Sequence, residues 1–207
     1  MPTITEPANE QKPRLRFTFP DTWLAFKYDE QDPVNPHFYQ ERLEKIDGLR
    51  GVDIVAGPQP AFAELLLLEV KNYRGRAPKL HQKVKSGKLH RQLLLKAVHT
   101  WAGLHLGARQ QDALLPADLR AAMLRPAQPV SFVVLLAEDP IWPTAKVTDT
   151  RQEEHNRRTK RQGFEKKLRE KLTPLGIQCR LADVGDLPKR CAWQAEALAP
   201  AIGPASA

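Results

Sequence analysis

The 207-residue chain is short of cysteine, with Cys179 and Cys191 as its two. Two thiols do not make a disulfide framework, and neither stands at metal-site spacing from a second Cys or a His. A reducing compartment and unreactive buried thiols are the expectation. No apolar stretch approaches the roughly 18 residues of a membrane-spanning helix. The start MPTITEPANEQKPRLR lacks the apolar core of a secretory leader. These absences lead to an expected cytoplasmic protein without a membrane partner. No segment repeats, which sets aside solenoids and repeat arrays.

Positive charge is in excess. Lys and Arg number 32 against 24 Asp and Glu, giving a formal net charge of +8 and a pI near 9.6. Such a balance favours an anionic partner, nucleic acid foremost, although many basic proteins have none. Hydrophobic content of 42% and charged content of 27% are ordinary for a globular chain. The expected organisation is a disordered tail over 1–13, one domain over 14–190 and a flexible C-terminal tail over 191–207.

Periodicity sketches the elements. RLRFTF (14–19) alternates like a half-buried strand, TWLAFKY (22–28) is extended or a short helix, and DEQDPVNP (29–36) is a loop. HFYQERLEKIDG (37–48) predicts a short helix with Tyr39, Leu43 and Ile46 on one side. GVDIVA (51–56) and AELLLLEVK (63–71), separated by Gly57, Pro58 and Pro60, predict a hairpin. Ser86 is positioned to cap a long helix over 88–107 whose apolar face is Leu94, Val98 and Trp101. A helix over 117–124 and an apolar, central strand over 129–138 follow. A charged helix over 151–172 with the stripe Phe164, Leu168 and Leu172, then an edge strand over 177–184, complete the pattern. The fold class is α/β, a single mixed β-sheet flanked by helices.

Chemistry concentrates at the end of the second hairpin strand. In LLLLEVK a period of two puts Leu65, Leu67, Glu69 and Lys71 on one face, and Leu66, Leu68 and Val70 on the other. Glu64, five positions before Glu69, falls on the opposite face. Asp53 is an isolated acid within the apolar VDIV, and the hairpin can set it beside Glu69. Two carboxylates that close repel unless a cation lies between them, and oxygen donors suit Mg²⁺ or Mn²⁺. A neighbouring Lys can hold or help deprotonate a water aimed at a phosphodiester. The plain alternative is a cross-strand salt bridge at a sheet edge.

Asp53 followed by Glu69-Val70-Lys71 resembles the PD-(D/E)xK, restriction-endonuclease-like nuclease superfamily, and EVKNYRG is similar to the motif of its Mrr and nuclease-related (NERD) branches. The resemblance, over roughly 37–137, implies a restriction-endonuclease-like core with a C-terminal helix-strand extension. It implies metal ligation by Asp53, Glu69 and the Val70 carbonyl, with Lys71 positioning the nucleophilic water. The family's flanking helices often carry accessory residues; here the preceding one offers Glu41 and Glu44 and the following one Gln92 and Lys96. Glu41 and Glu44 lie away from Tyr39, Leu43 and Ile46, and a solvated helix face is the plainer reading of them. Gln92, Lys96 and His99 lie opposite Leu94, Val98 and Trp101, facing either water or the cleft.

Lys79, Lys83, Lys85 and Lys88 form an acid-free run directly after the motif, suited to phosphate contacts. The expected activity is Mg²⁺- or Mn²⁺-dependent hydrolysis of DNA, with RNA as the other substrate, in phage defence or DNA repair. The alternative is a catalytically silent nucleic-acid-binding or assembly subunit of the same fold. Cutting both strands of a duplex favours a homodimer, and the lack of a recognition module favours a partner protein.

Overall fold

The computed structural model describes residues 1–7, 14–30, 37–141, 149–189 and 191–198. Five strands form the main sheet: β3 (Trp23–Lys27), β4 (Ile54–Pro58), β5 (Leu65–Asn72), β6 (Val130–Ala137) and β7 (Ile177–Ala182), adjacent in that order. β3, β4 and β5 run antiparallel in turn, whereas β6 is parallel to β5 and to β7. The parallel steps are bridged by α1 (Ala77–Lys85), α2 (Lys88–Arg109) and α3 (Ala117–Met123), and then by α4 (Thr150–Leu172). The sheet is mixed, as expected, but it is not single. β1 (Thr3–Glu6), β2 (Leu15–Thr18) and β8 (Gln194–Ala197) form a second, antiparallel sheet in the order β1-β2-β8.

Both faces of the main sheet are covered, which explains the near-continuous apolar runs of β5 and β6. On one face Val55, Leu67, Phe132 and Val134 pack against Leu89, Leu93, Ala97 and Leu104 of α2 and Leu168 and Leu172 of α4. On the other, Ile54, Leu66, Leu68 and Leu135 meet Leu15, Phe17, Phe19 and Trp193 from the small sheet and its flanks. Burial of Cys179 pushes its thiol up to about 12, so it is an inert core group.

Several expectations are corrected. The segment expected to be a frayed tail contributes β1, and that expected to be a flexible C-terminus contributes β8. Residues 8–13 and 199–207 of those tails, and 31–36 of the expected loop, lie outside the described residues. The expected C-terminal helix-strand extension is integral, because β7 continues the main sheet beside β6. The helix expected over 37–48 is a short helical turn, Tyr39–Leu43, which buries those two residues and leaves Ile46 exposed.

The lysine run after the motif is largely the helix α1, with Pro78 in its first turn and Gly87 breaking it at φ +70°. Ser86 therefore ends α1 rather than capping α2, and its Oγ donates to the Lys83 carbonyl at 3.3 Å. α2 buries Leu89, Leu93, Ala97, Thr100 and Leu104, so its deepest face is not Leu94, Val98 and Trp101, which are half-buried. α2 is apolar over so wide an arc that period alone does not single out the buried side. Among the described residues no helix is long and apolar enough to cross a membrane.

Candidate active site

Asp53 is the residue just before β4. Antiparallel pairing sets Ile54 against Leu68, so one step further along that register Asp53 faces Glu69. Two backbone N–H groups hold it there. Its carbonyl accepts from the Tyr28 N–H at 2.9 Å, and its Oδ2 accepts from the Val70 N–H at 2.5 Å. The preceding segment is pinned to α2 where the Thr100 hydroxyl accepts from the Val52 N–H at 2.9 Å and His99 Nδ1 from the Arg50 N–H at 3.2 Å. Gly51 permits this close approach, since a Cβ there would stand 2.8 Å from the Tyr28 ring.

Glu69 is 0% exposed. Its Oε1 is paired with both Lys71 Nζ and Lys96 Nζ, the latter at 2.9 Å, while its Oε2 is buried with no hydrogen-bond partner among the described residues. Lys96 Nζ also lies 3.1 Å from Asp53 Oδ1 and 3.5 Å from Asp29 Oδ2. Glu69 and Lys71 thus project from the same face of β5, where α2 delivers Lys96. That lysine stands opposite the half-buried Leu94, Val98 and Trp101, and this side of α2 turns toward the carboxylates rather than to water.

The electrostatics follow from burial. Desolvation, and then the Asp53 charge, raise the Glu69 carboxyl above its usual range against the pull of Lys71 and Lys96. Burial disfavours charge on the Lys71 ammonium, but Glu69 and Asp53 outweigh it and hold the group above the lysine norm. Lys96 is raised too, burial again being outweighed by Glu69, Asp53 and Asp29. Lys71 in this state is a fixed cation that donates hydrogen bonds, not a base. Burial and the Asp53 charge push Asp29 up to about 7.

Because the folded protein holds the Asp29 proton more tightly than the unfolded chain, this group's contribution makes stability fall as pH rises from about 4 to about 7. Asp29→Asn is expected to flatten that decline in a series of urea melts across the window; an unchanged slope would place the titration elsewhere.

Asp53, Val70 and Lys71 line an open cleft of about 410 Å³. Gln92 lines it as well, and its rim carries Arg50, Arg76, Lys79 and Lys83. The crowding is felt by Lys83, whose ammonium is lowered by desolvation and then by Lys79, Lys71, Arg76 and Arg50. Lys79 and Lys83 are four apart on α1 and share a face; Lys85 and Lys88 are exposed but do not line the cleft. Glu41 pairs with Lys45 at 2.9 Å, and neither it nor Glu44 lines the cleft. Glu64 is at the far end of the strand, where its Oε1 accepts from the Ser131 hydroxyl at 2.5 Å.

Two acids escaped the sequence reading. Asp29 belongs to a segment read as loop and Glu6 to one read as tail; Glu6 lines the cleft and pairs with Lys27 at 3.2 Å. No local signal marks either, because each reaches the site only through strand pairing.

Among the described residues no group of three or more His, Cys, Asp and Glu side chains is arranged to hold a metal ion. Mg²⁺ commonly needs only one or two carboxylates, completed by waters and substrate phosphates. Asp53 and Glu69 meet that requirement chemically, and the unpartnered Glu69 Oε2 is a buried acceptor with unused capacity. Comparison with family models, curated proteins and solved structures gave no match.

Proposed function

We propose that the protein is a metal-dependent nuclease with a restriction-endonuclease-like core, hydrolysing DNA phosphodiester bonds in the cleft above Asp53, Glu69 and Lys71. The observation that carries this reading is the fully buried Glu69 carboxylate, set opposite Asp53, which lines the basic-rimmed cleft, and retaining an oxygen with no hydrogen-bond partner among the described residues. A buried acid so placed is costly unless something uses it. Asp53 and Glu69, with the Val70 carbonyl, would hold Mg²⁺ or Mn²⁺. When bound, such an ion would supply Lewis-acid stabilisation of charge on the phosphoryl oxygens and an acidified water. Lys71, held charged by Glu69, orients a water or phosphate oxygen by donating hydrogen bonds. The rim cations Arg50, Arg76, Lys79 and Lys83 hold the sugar-phosphate backbone by charge, without reading bases.

One observation favours the second reading, a nucleic-acid-binding or assembly subunit without turnover: the Lys96 ammonium already lies between the two carboxylates. Incubating the protein with supercoiled and linear DNA plus Mg²⁺ or Mn²⁺, beside Lys71→Ala, decides between them. Cleavage by the wild type that the variant lacks supports the nuclease. Salt-sensitive binding without cleavage supports the subunit, and neither result leaves a basic scaffold.

The rim has its own expected outcome. Lys79→Glu with Lys83→Glu should weaken DNA binding uniformly across sequences and lower the slope of log K against log salt by about 2, one per lost phosphate contact. Lys85→Glu, outside the cleft, should have a smaller effect. Titrations at several salt concentrations read this out, and equal effects of Lys83→Glu and Lys85→Glu would move the interface away from the cleft.

A further inference from the structure

Three acids converge on one ammonium beside the cleft. Lys96 Nζ is 2.9 Å from Glu69, 3.1 Å from Asp53 and 3.5 Å from Asp29. With Lys71 counted, the group comprises three carboxylates and two ammonium groups, so one negative charge is left over when all are ionised. The coordination is uneven as well. Glu69 Oε1 serves both lysines, while Oε2 has no hydrogen-bond partner among the described residues. A divalent cation added to Asp53 and Glu69 with Lys96 in place would share their oxygens with a second cation, and the two would repel.

We propose that Lys96 is a resident counter-cation, its ammonium bridging Asp53 and Glu69 in the free protein and passing to Asp29 when a divalent cation takes those two carboxylates. This inference rests on the metal-site reading above. A lysine suits the role, being a compact charge with three rotatable donors on a flexible four-carbon stem. Asp29 is already within 3.5 Å, so the transfer needs side-chain rotation and no movement of the backbone. Asp29 lies two residues beyond the end of β3, and the intervening Tyr28 N–H is bonded to the Asp53 carbonyl, so both acids are held in one frame. Asp29 is therefore a positioning residue that acts on the metal through Lys96. The arrangement keeps the buried carboxylates neutralised when no metal is bound, and it sets metal affinity by competition.

The test is a double-mutant cycle on Mg²⁺ and Mn²⁺ binding, measured calorimetrically with the full chain and without nucleic acid. Lys96→Met removes the competitor and should tighten binding about tenfold, within the range of coupled sites. Asp29→Asn removes the alternative partner and should weaken binding by a similar factor. In the Lys96→Met background Asp29→Asn should change nothing, since no ammonium remains to be relocated. An Asp29→Asn effect of equal size in both backgrounds overturns the proposal, because Asp29 then acts on the metal itself; so does unchanged affinity in Lys96→Met. If the wild type and every folded variant bind neither cation, the metal-site reading fails and takes the proposal with it, whereas binding with an additive cycle defeats the proposal alone. Should Lys96→Met not fold, the Lys96 side-chain NMR signal decides. It should shift on Mg²⁺ addition in the wild type and shift less in Asp29→Asn; no shift in the wild type overturns the transfer.

Discussion

Lys71→Ala is expected to lower Mg²⁺-dependent DNA cleavage by about 100-fold or more, the usual loss when one preorganised electrostatic group is removed from a developing charge. The lysine is positioned for this by the strand itself. β5 directs Glu69 and Lys71 to one face, and the Glu69 carboxylate pins the ammonium over the cleft floor. Glu69→Gln and Asp53→Asn should be at least as damaging, because each removes a charge on which the proposed cation binding depends. Initial rates on supercoiled plasmid, with circular dichroism to confirm folding, provide the measurement. Lys71→Met is the companion variant, retaining the apolar stem while losing the charge. Wild-type rates in both Lys71 variants would remove this residue from the chemistry, and with it the reason for reading Glu-x-Lys as a nuclease motif.

Lys96→Met is expected to destabilise the metal-free protein by about 3–5 kcal/mol, the scale for removing one partner of a buried ion pair. Lys96 is 15% exposed and faces a carboxylate that is fully buried, so solvent screening is weak. Without it Glu69 keeps only Lys71, Asp53 keeps its hydrogen bond from Val70, and no ammonium bridges the two facing carboxylates. The loss is read as a lowered urea midpoint at unchanged m-value. Adding Glu69→Gln to Lys96→Met should recover much of it by removing the least solvated of the stranded charges. This rescue separates an electrostatic role from simple packing of the lysine stem, which the second substitution would not restore. A loss below about 1 kcal/mol would mean that the pair behaves as an exposed one.

Single elements were legible in the sequence where one physical rule dominated. The alternation of LLLLEVK placed Glu69 and Lys71 on a common face, and the compact VDIV located the partner strand that Asp53 immediately precedes, although Gly57 and Pro58, expected as the turn, end that strand instead. Phe164, Leu168 and Leu172, spaced by four in a highly charged segment, identified the one side of α4 able to pack. These are directions along a chain, set by backbone geometry over a few residues.

Tertiary structure decided which segments meet. It rotated α2 so that Lys96 enters the acid cluster, and it brought Asp29 and Glu6 from segments read as loop and tail. It also paired the two chain ends with β2 into a second sheet, covering a face that the sequence showed to be apolar without showing what would cover it. It divided the lysine run into Lys79 and Lys83 on the cleft and Lys85 and Lys88 off it, because α1 turns Lys85 away from the face of Lys79 and Lys83, and Lys88 lies beyond Gly87 on α2. The sequence by itself thus determined the face, the charge pattern and the acid-acid-lysine set. The internal cation between the acids was decided only by packing, since contacts between residues 29, 53, 69 and 96 arise from burying apolar surface across the whole sheet and leave no periodic trace along the chain.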